Sequence, residues 1–218
     1  MTRMVVATLV AGLFLVHPSF AQKASVGGKI APDGRTELQI DLPGQLHRAN
    51  VSSRGQGCCT HTSTHHSAIF QNVPALQEFP KWVQSKGLPG GTYPEEMARR
   101  IAMICKDRGV AQPQYVQVTG GRETLDVIRA ALASGRFPCV TYSFSPTGRY
   151  GGGRIAHMVN IVHLDDQYAA ILDNNYIEPR ESSFEWMSVD QFLRTYTGGR
   201  AGWALILLHC GPPPLPWN

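Results

Sequence analysis

Residues 53–68, which read SRGQGCCTHTSTHHSA, place the strongest constraint on how this chain can fold. Gly55 and Gly57 permit a sharp turn and a close approach of backbone segments. Two adjacent cysteines follow the turn, and small polar residues then take on a helical pattern that continues through Phe70. The segment therefore predicts a tight turn, a cysteine at the start of a helix, and a first helical turn made of small polar residues.

Cys59 stands where this predicted helix begins. Unpaired backbone N–H groups and the positive end of the helix dipole stabilise a thiolate at that position. A thiolate is the form of cysteine that acts as a nucleophile. A second interpretation is structural, with Cys58 and Cys59 as a buried cysteine pair or as part of a disulfide. This stretch alone leaves both interpretations open.

The first 21 residues are typical of a secretory signal peptide. Arg3 gives a positive start, residues 4–16 form an apolar run of 13 residues, and S-F-A precedes Gln22. A membrane anchor is the alternative, but the run is short for a bilayer span and a polar pair follows it. We expect cleavage after Ala21, a secreted or periplasmic protein, and no membrane contact after cleavage.

The balance of charge does not favour nucleic acid as a partner. The chain carries 20 Lys and Arg against 16 Asp and Glu, and loss of Arg3 with the leader lowers the formal net charge from +4 to +3. No block of basic residues accompanies this mild excess.

The cysteine count predicts a free thiol. An odd number leaves at least one cysteine unpaired unless pairing is intermolecular. The five cysteines are Cys58, Cys59, Cys105, Cys139 and Cys210. Their positions determine neither the disulfide connectivity nor the oligomeric state, and Cys105 is expected to be a buried thiol.

Hydrophobic periodicity divides the main part of the chain into helices and strands. Helices are predicted over residues 73–86, 94–109, 124–134 and 188–196. Strands are predicted over residues 115–118, 139–144, 155–164, 168–173 and 203–208. Helices come first and a mostly antiparallel sheet follows, with one or two helices inserted. This order predicts an α+β domain over residues 50–210.

Three segments lie outside this pattern. Residues 22–49 are polar and are expected to be an N-terminal extension that wraps the domain without forming its core, with at most an edge strand at Leu38, Ile40 and Leu42. Residues 146–153 form a glycine-rich loop that lacks the lysine and spacing of a phosphate-binding loop, so it is interpreted as a flap. Residues 211–218 are a Pro-rich extended tail.

His157 and Asp173 lie on two predicted strands that are joined by a turn at Asp165. If the hairpin folds about that residue, His157 and Asp173 face each other with Cβ atoms about 4.5–5.5 Å apart. A turn shifted by one residue puts Asn174 opposite His157 instead. In either case one imidazole nitrogen is held by the partner, and the other nitrogen is left to take a proton from a thiol.

Three segments resemble the papain-like cysteine peptidase superfamily: GQGCCTHTS around Cys59, IAHMVNIVHLDD around His157 and YAAILDNN around Asp173. The resemblance is closest to its bacterial branch related to the C39 (bacteriocin-processing) peptidases and to secreted planctomycete-type proteins of that kind. It covers residues 50–208, and LDVIRAALASGRFPCVTYSF resembles the helix–strand pair that precedes the histidine strand. It implies a papain-like fold in which the nucleophile helix packs on a mostly antiparallel sheet.

The resemblance also implies a function. It assigns the nucleophile to Cys59, the base to His157 and the orienting group to Asp173, with Asn174 as the alternative. The protein is then expected to be a secreted thiol hydrolase that cleaves amide bonds in a protein or peptide substrate and needs no cofactor or metal. Loops at residues 87–93 and 146–153 are expected to set specificity, but the sequence does not identify the substrate.

One departure from the superfamily concerns the oxyanion hole. These enzymes usually place a glutamine about six residues before the nucleophile, and Ser53 occupies that position here. Gln56 and Asn50 are the nearest alternative donors. The departure supports a second hypothesis, a non-catalytic protein- or peptide-binding domain on a papain-like scaffold.

Two other hypotheses stay open. A transglutaminase-like acyl transferase uses the same order of cysteine, histidine and acid, with an amine in place of water as acceptor. A zinc site is the alternative of different chemistry, because His61 and His65 share one helix face and lie near His66 and the cysteine pair Cys58 and Cys59.

Overall fold

The structure is a computed structural model that describes residues 34, 38, 40, 42, 44–47, 49–146, 148–175, 182–197 and 202–209. The expected signal peptide at residues 1–21, Cys210 and the Pro-rich tail at residues 211–218 lie outside the described residues. Within the described ranges, none of the helices has the length and apolar character needed to cross a membrane.

The predicted α+β class is confirmed by the elements that form in the described residues. The helices are α1 (Cys59–Phe70), α2 (Phe79–Ser85), α3 (Pro94–Arg108), α4 (Leu125–Ala133) and α5 (Val189–Thr197). A two-stranded hairpin, β1 (Ser52–Ser53) and β2 (Gln56–Gly57), precedes α1. The main sheet contains β3 (Tyr115–Gly120), β4 (Cys139–Tyr142), β5 (His157–Leu164), β6 (Tyr168–Leu172), β7 (Phe184–Ser188) and β8 (Gly202–Leu207).

The six strands pair antiparallel throughout, in the order β3-β8-β4-β5-β6-β7. Strand β8, the last in the described chain, lies between β3 and β4. The early strand β3 is therefore at one edge of the sheet, and β7 is at the other edge. Strand β7 was not predicted. Its residues Phe184, Glu185, Trp186 and Met187 are all buried, so the strand lacks the alternation of polar and apolar residues that marks a half-buried strand.

Helix α1 is polar and yet lies in the interior. Residues 59–68 are all buried, because the helix packs against β4, β5 and β8 on one side and α2 on the other. Hydrogen bonds replace the usual apolar stripe: Ser63 Oγ donates to the Met158 carbonyl (3.1 Å), and Asn160 Nδ2 donates to the Ser63 carbonyl (3.1 Å). Buried polar groups are tolerated when they are paired in this way.

The helix predicted over residues 73–86 is wrong in its first half. A 3₁₀ turn at Pro74–Leu76 comes first, and Glu78 then adopts a left-handed conformation with φ 56°. Helix α2 begins only at Phe79. Pro80 lies in its first turn, where the missing N–H removes no helical hydrogen bond. The proline therefore starts this helix instead of bending it.

The N-terminal extension contributes to the core, which corrects the expectation that it would not. Leu38, Ile40 and Leu42 are exposed by only 5%, 2% and 1%. They belong to one apolar cluster with Leu172 and Phe184 of the sheet. None of these three residues is in a strand. Three alternate apolar positions suffice to fill the space beside β6 and β7, although the segment around them is polar in composition.

The β5–β6 hairpin has neither of the two predicted registers. Asn160 pairs with Leu172, whereas His163 pairs with Ala170, and an irregularity between Ile161 and His163 separates the two registers. The turn itself is displaced along the chain: the Asp165 N–H donates to the Tyr168 carbonyl (3.0 Å), so Asp166 and Gln167 form the loop, and the Asp165 carboxylate accepts from the N–H groups of Gln167 and Tyr168 (2.7 and 2.6 Å). A bulge of this kind shifts the pairing of every residue beyond it.

Candidate active site

The β1–β2 hairpin and the start of α1 place Cys59 beside a cavity. The Cys58 N–H donates to the Val51 carbonyl (2.7 Å), and Cys58 is the N-cap residue of the helix. Cys59 is the first helical residue and lines the cavity, whereas Cys58 is 0% exposed. The first N–H groups of a helix have no partner within the helix. Of the two adjacent thiols, Cys59 is therefore the one beside both the cavity and these N–H groups.

His157 lies between the Cys59 thiol and the Asp173 carboxylate. Its Nε2 is 2.8 Å from Asp173 Oδ1, and its ring also hydrogen-bonds the Cys59 side chain. Because Nε2 is occupied by the carboxylate, Nδ1 is the nitrogen that faces the thiol. The structure thus brings together the three residues that the sequence analysis selected.

The electrostatics of this trio favour separated charges. Burial raises the pKa of the Cys59 thiol, but the hydrogen bond and the charge of His157 outweigh burial and lower that pKa below its usual value. Burial lowers the pKa of His157, but Asp173 and Cys59 reverse this and raise the pKa above its usual value. A lowered thiol pKa beside a raised imidazole pKa describes a thiolate–imidazolium pair.

Both oxygens of Asp173 are occupied by donors. Oδ1 accepts from His157 and from the Asn175 N–H (3.0 Å). Oδ2 accepts from the Tyr150 hydroxyl (2.6 Å), and Asn175 Nδ2 donates in turn to that hydroxyl (2.9 Å). Burial raises the pKa of Asp173, but the bonds from His157 and Tyr150 outweigh it and lower the pKa. The carboxylate is therefore fixed in place and held ionised.

Asn174 has a different position from the one that the alternative register required. Its Nδ2 donates to the Met158 carbonyl (2.9 Å), to Ser63 Oγ (2.8 Å) and to the Cys59 carbonyl (3.3 Å). These bonds connect α1 to β5. Asn174 therefore holds the nucleophile helix against the histidine strand and does not contact the imidazole through these bonds.

The three candidate oxyanion donors differ in their surroundings. Ser53 is buried and its hydroxyl donates to the Leu88 carbonyl (2.6 Å). Asn50 lines the cavity, but its Nδ2 donates to Asn175 Oδ1 and its Oδ1 accepts from Thr62 (3.4 Å). Gln56 lines the cavity and binds the Gly91 N–H through Oε1 (3.0 Å), which leaves its Nε2 outside that bond.

The cavity beside Cys59 and His157 has a volume of about 1160 Å³. Gly91, Thr92 and Tyr93 from the first predicted specificity loop line it, and Tyr150 from the flap does so as well. Gly90 permits this arrangement, because a Cβ there would lie 2.1 Å from the Gln56 carbonyl oxygen. This volume is slightly above the range of about 300–1,000 Å³ that is usual for small-molecule pockets, so the cavity has room for more than one side chain of a peptide.

The other described cysteines are buried free thiols. Burial, with the neighbouring Cys59 charge, raises the pKa of Cys58 to about 11. Burial also raises the pKa of Cys139 to about 12. Among the four cysteines that the structure describes, a lowered pKa is found only at Cys59.

The histidines of the zinc hypothesis face different partners. His61 Nε2 is 3.0 Å from Arg100 Nη1, His65 Nδ1 accepts from the Glu78 N–H (2.9 Å), and His66 Nδ1 is 3.3 Å from Asn160 Oδ1. In the described part of the chain, no group of three His, Cys, Asp or Glu side chains could hold a metal ion. The three histidines therefore serve the packing of α1 and do not converge on one point.

Four side chains near the trio were not selected from the sequence: Tyr142, Arg149, Tyr150 and Glu185. Tyr150 lies in the flap, where the surrounding glycines indicated only a loop; in the structure its φ is 58°. Glu185 lies in β7, the strand that the sequence analysis did not predict. For Arg149 and Tyr150 the available signal was a charged and an aromatic residue in a segment otherwise rich in glycine, and it was weak.

A scan against protein-family models finds no family that matches this chain, and a search of the curated proteins finds no match either.

Proposed function

We propose that this protein is a thiol hydrolase of the cysteine peptidase type. The observation that carries the proposal is the position of His157, which contacts the Cys59 thiol with one ring nitrogen and the Asp173 carboxylate with the other. The start of α1 and the adjacent cavity support it further, because they supply free N–H groups and room for a substrate beside the sulfur.

The proposed reaction begins from the ion pair, in which His157 Nδ1 carries the proton of Cys59. The thiolate attacks an amide carbonyl carbon, a C–S bond forms, and the carbonyl oxygen takes the negative charge. His157 then gives its proton to the leaving nitrogen as the C–N bond breaks, which leaves a thioester. Water attacks the thioester with His157 as base, and the acid product leaves with the thiol restored. Asp173 keeps the imidazole in one orientation through both steps.

We assign the oxyanion hole to the Cys59 N–H and the Gln56 side chain. The Cys59 N–H lies at the first position of α1, where helices leave N–H groups unpaired. Gln56 is favoured over Asn50 because its Nε2 is outside the bond to Gly91, whereas the amide of Asn50 is engaged at both ends. Ser53 is not a candidate in this assignment, since its hydroxyl binds a backbone carbonyl.

Thiol labelling tests the proposal, and Cys58 is the matched control. We expect iodoacetamide to label the protein rapidly at about pH 6, where an ordinary thiol near pKa 8.5 reacts slowly. Cys59→Ala abolishes the labelling and the hydrolysis of an unstructured protein substrate, whereas Cys58→Ala retains both. Rapid labelling that persists in Cys59→Ala contradicts the assignment. Rapid labelling without hydrolysis of any peptide or protein, or with transfer to an added amine, favours the binding-domain or acyl-transferase hypothesis.

The papain-like fold and the export of the protein belong to the same proposal. A polar helix with an N-terminal cysteine, packed on an antiparallel sheet that carries the histidine and the acid, is the arrangement that the sequence resemblance implies. Residues 1–21 have the composition of a signal peptide. N-terminal sequencing of the exported protein tests the second point, with Gln22 as the expected first residue and an intact Met1 as the contradicting result.

A further inference from the structure

Two buried carboxylates share one buried arginine behind the trio. Arg149 Nη1 lies 3.5 Å from Asp173 Oδ2, and Arg149 Nε lies 3.8 Å from Glu185 Oε2. The side chains are exposed by 5% for Arg149 and by 0% for each of the two acids. Charges this far from solvent interact strongly, so the position of the Arg149 guanidinium affects the strength of the hydrogen bond between Asp173 and His157.

Hydroxyl groups fix Glu185 in its position. The Tyr142 hydroxyl donates to Glu185 Oε2 (2.5 Å), and the Ser145 hydroxyl donates to Oε1. Burial and the Glu185 charge raise the pKa of Tyr142, so this phenol stays protonated and remains a donor. The Tyr142 ring also meets the His157 ring edge-on, with centroids 6.2 Å apart. Both oxygens of Glu185 are therefore bonded to hydroxyl groups, and Tyr142 lies between Glu185 and the His157 ring.

Backbone carbonyl groups shortly before Glu185 in the chain also hold Arg149. Its Nη2 donates to the carbonyl oxygens of Ser182 and Phe184, the latter at 3.1 Å. Neither carboxylate forms the short two-point contact that arginine and carboxylate groups adopt when they pair alone. Arg149 thus lies between two anions and is bound closely by neither.

We infer that Glu185 is a positioning residue: it shares Arg149 with Asp173 and so keeps the guanidinium from closing on Asp173, which retains its short hydrogen bond to His157. The inference rests on the proposed thiol chemistry. Without the Glu185 charge, Asp173 is the remaining anionic partner of Arg149 among the contacts described. The Asp173 carboxylate is then pulled towards the Arg149 guanidinium. The imidazolium then loses both its short bond and the attraction of a second nearby anion.

The groups that face His157 and Asp173 come from several elements. They are Cys59 from α1, Tyr142 from β4, Arg149 and Tyr150 from the flap, Asn175 after β6 and Glu185 from β7. Tyr142 and Tyr150 have raised pKa values because of burial and the nearby carboxylates, so they stay neutral over the range of the test. The charges that change the titration of the trio are therefore those of Arg149 and Glu185.

The test compares the pH midpoint of Cys59 alkylation by iodoacetamide in the wild type, in Glu185→Gln and in Glu185→Gln/Arg149→Met. We expect Glu185→Gln to raise the midpoint by about one pH unit, which lowers alkylation roughly tenfold at pH values below the wild-type midpoint. The double variant removes the competing cation as well, and we expect its midpoint to return towards the wild-type value. Glu95→Gln, an exposed position outside the cavity lining, is the matched control and keeps the wild-type midpoint.

The design separates this inference from the proposed function. A wild-type midpoint near that of a free thiol contradicts the proposed function itself. A low wild-type midpoint that Glu185→Gln leaves unchanged overturns the role of Glu185, and so does a double variant that is no better than the single one. The folded fraction changes the amplitude of the low-pH phase of alkylation and not its midpoint, because unfolded protein reacts with the ordinary thiol pKa of about 8.5. If Glu185→Gln yields no soluble protein, Tyr142→Phe removes one donor from Glu185, and we expect a smaller shift in the same direction. An unchanged midpoint there overturns the inference.

Discussion

His157 Nε2 and Asp173 Oδ1 are 2.8 Å apart, although the two residues are not partners in the β5–β6 ladder. Asp173 follows the last residue of β6, and its N–H donates to the Ser183 carbonyl (2.8 Å), on the side of β7. The contact therefore depends on where β6 ends and on the donors that fix the carboxylate, and strand register alone does not create it.

The charge of Asp173 can be tested by an isosteric change. Asp173→Asn keeps the size of the side chain but removes the anion that raises the pKa of His157. We expect the thiol pKa to rise and alkylation at about pH 6 to fall about 10- to 100-fold, the cost of one hydrogen bond to a charged group. Alkylation at about pH 9 changes little, because an ordinary thiol is ionised there. Asp166→Asn, at a side chain that is 97% exposed, is the control. An unchanged pH profile in Asp173→Asn contradicts this role.

Kinetic measurements distinguish the role of Gln56 in the oxyanion hole from the activation of the Cys59 thiol. Gln56→Ala is expected to lower kcat for peptide hydrolysis about 10²–10³-fold, the usual cost of one oxyanion donor. The rate of Cys59 alkylation stays unchanged, because alkylation develops no oxyanion. Ser53→Ala serves as the control and keeps kcat, since its hydroxyl binds the Leu88 carbonyl. Full kcat in Gln56→Ala, with a loss in Asn50→Ala, would move the assignment to Asn50.

Replacement of Asn174 is expected to lower the stability of the fold more than it affects the reaction. Asn174→Ala removes the hydrogen bonds that Asn174 Nδ2 donates to the Met158 carbonyl and to Ser63 Oγ. We expect the free energy of unfolding to fall by about 2–4 kcal/mol, which urea denaturation measures. Gln112→Ala, at an exposed position, is the control and changes the free energy of unfolding by less than about 0.5 kcal/mol. Equal stability of Asn174→Ala and the wild type would show that these bonds do not hold α1 on β5.

Local signals in the sequence were sufficient for much of the fold. Pro94 and the acids that follow it predicted where α3 starts, and Gly109 predicted where it ends, with a φ of 64° that glycine adopts easily. The turn before Cys59 and the start of α1 were predicted from residue type alone. In each case the determining contacts lie within one or two turns of the chain.

Features that depend on distant packing were not predictable. The β5–β6 register depends on an irregularity near Val162 that no residue type marks. Strand β7 has both faces buried, so it lacks alternation. The contacts of Arg149 with Asp173 and Glu185 connect the flap to two strands, and no local pattern specifies which strands meet there.

The most direct test of the central claim is the pH dependence of Cys59 alkylation in the wild type and in His157→Ala. The lowered thiol pKa and the raised imidazole pKa predict a reactive ion pair between the two values, so the wild-type rate rises below the usual thiol pKa of about 8.5 and the protein is already reactive at about pH 6. In His157→Ala, the bond and charge that outweigh burial at Cys59 are removed, and the rise is expected at or above about pH 8.5. A wild-type profile near pH 8.5 that His157→Ala leaves unchanged contradicts the account.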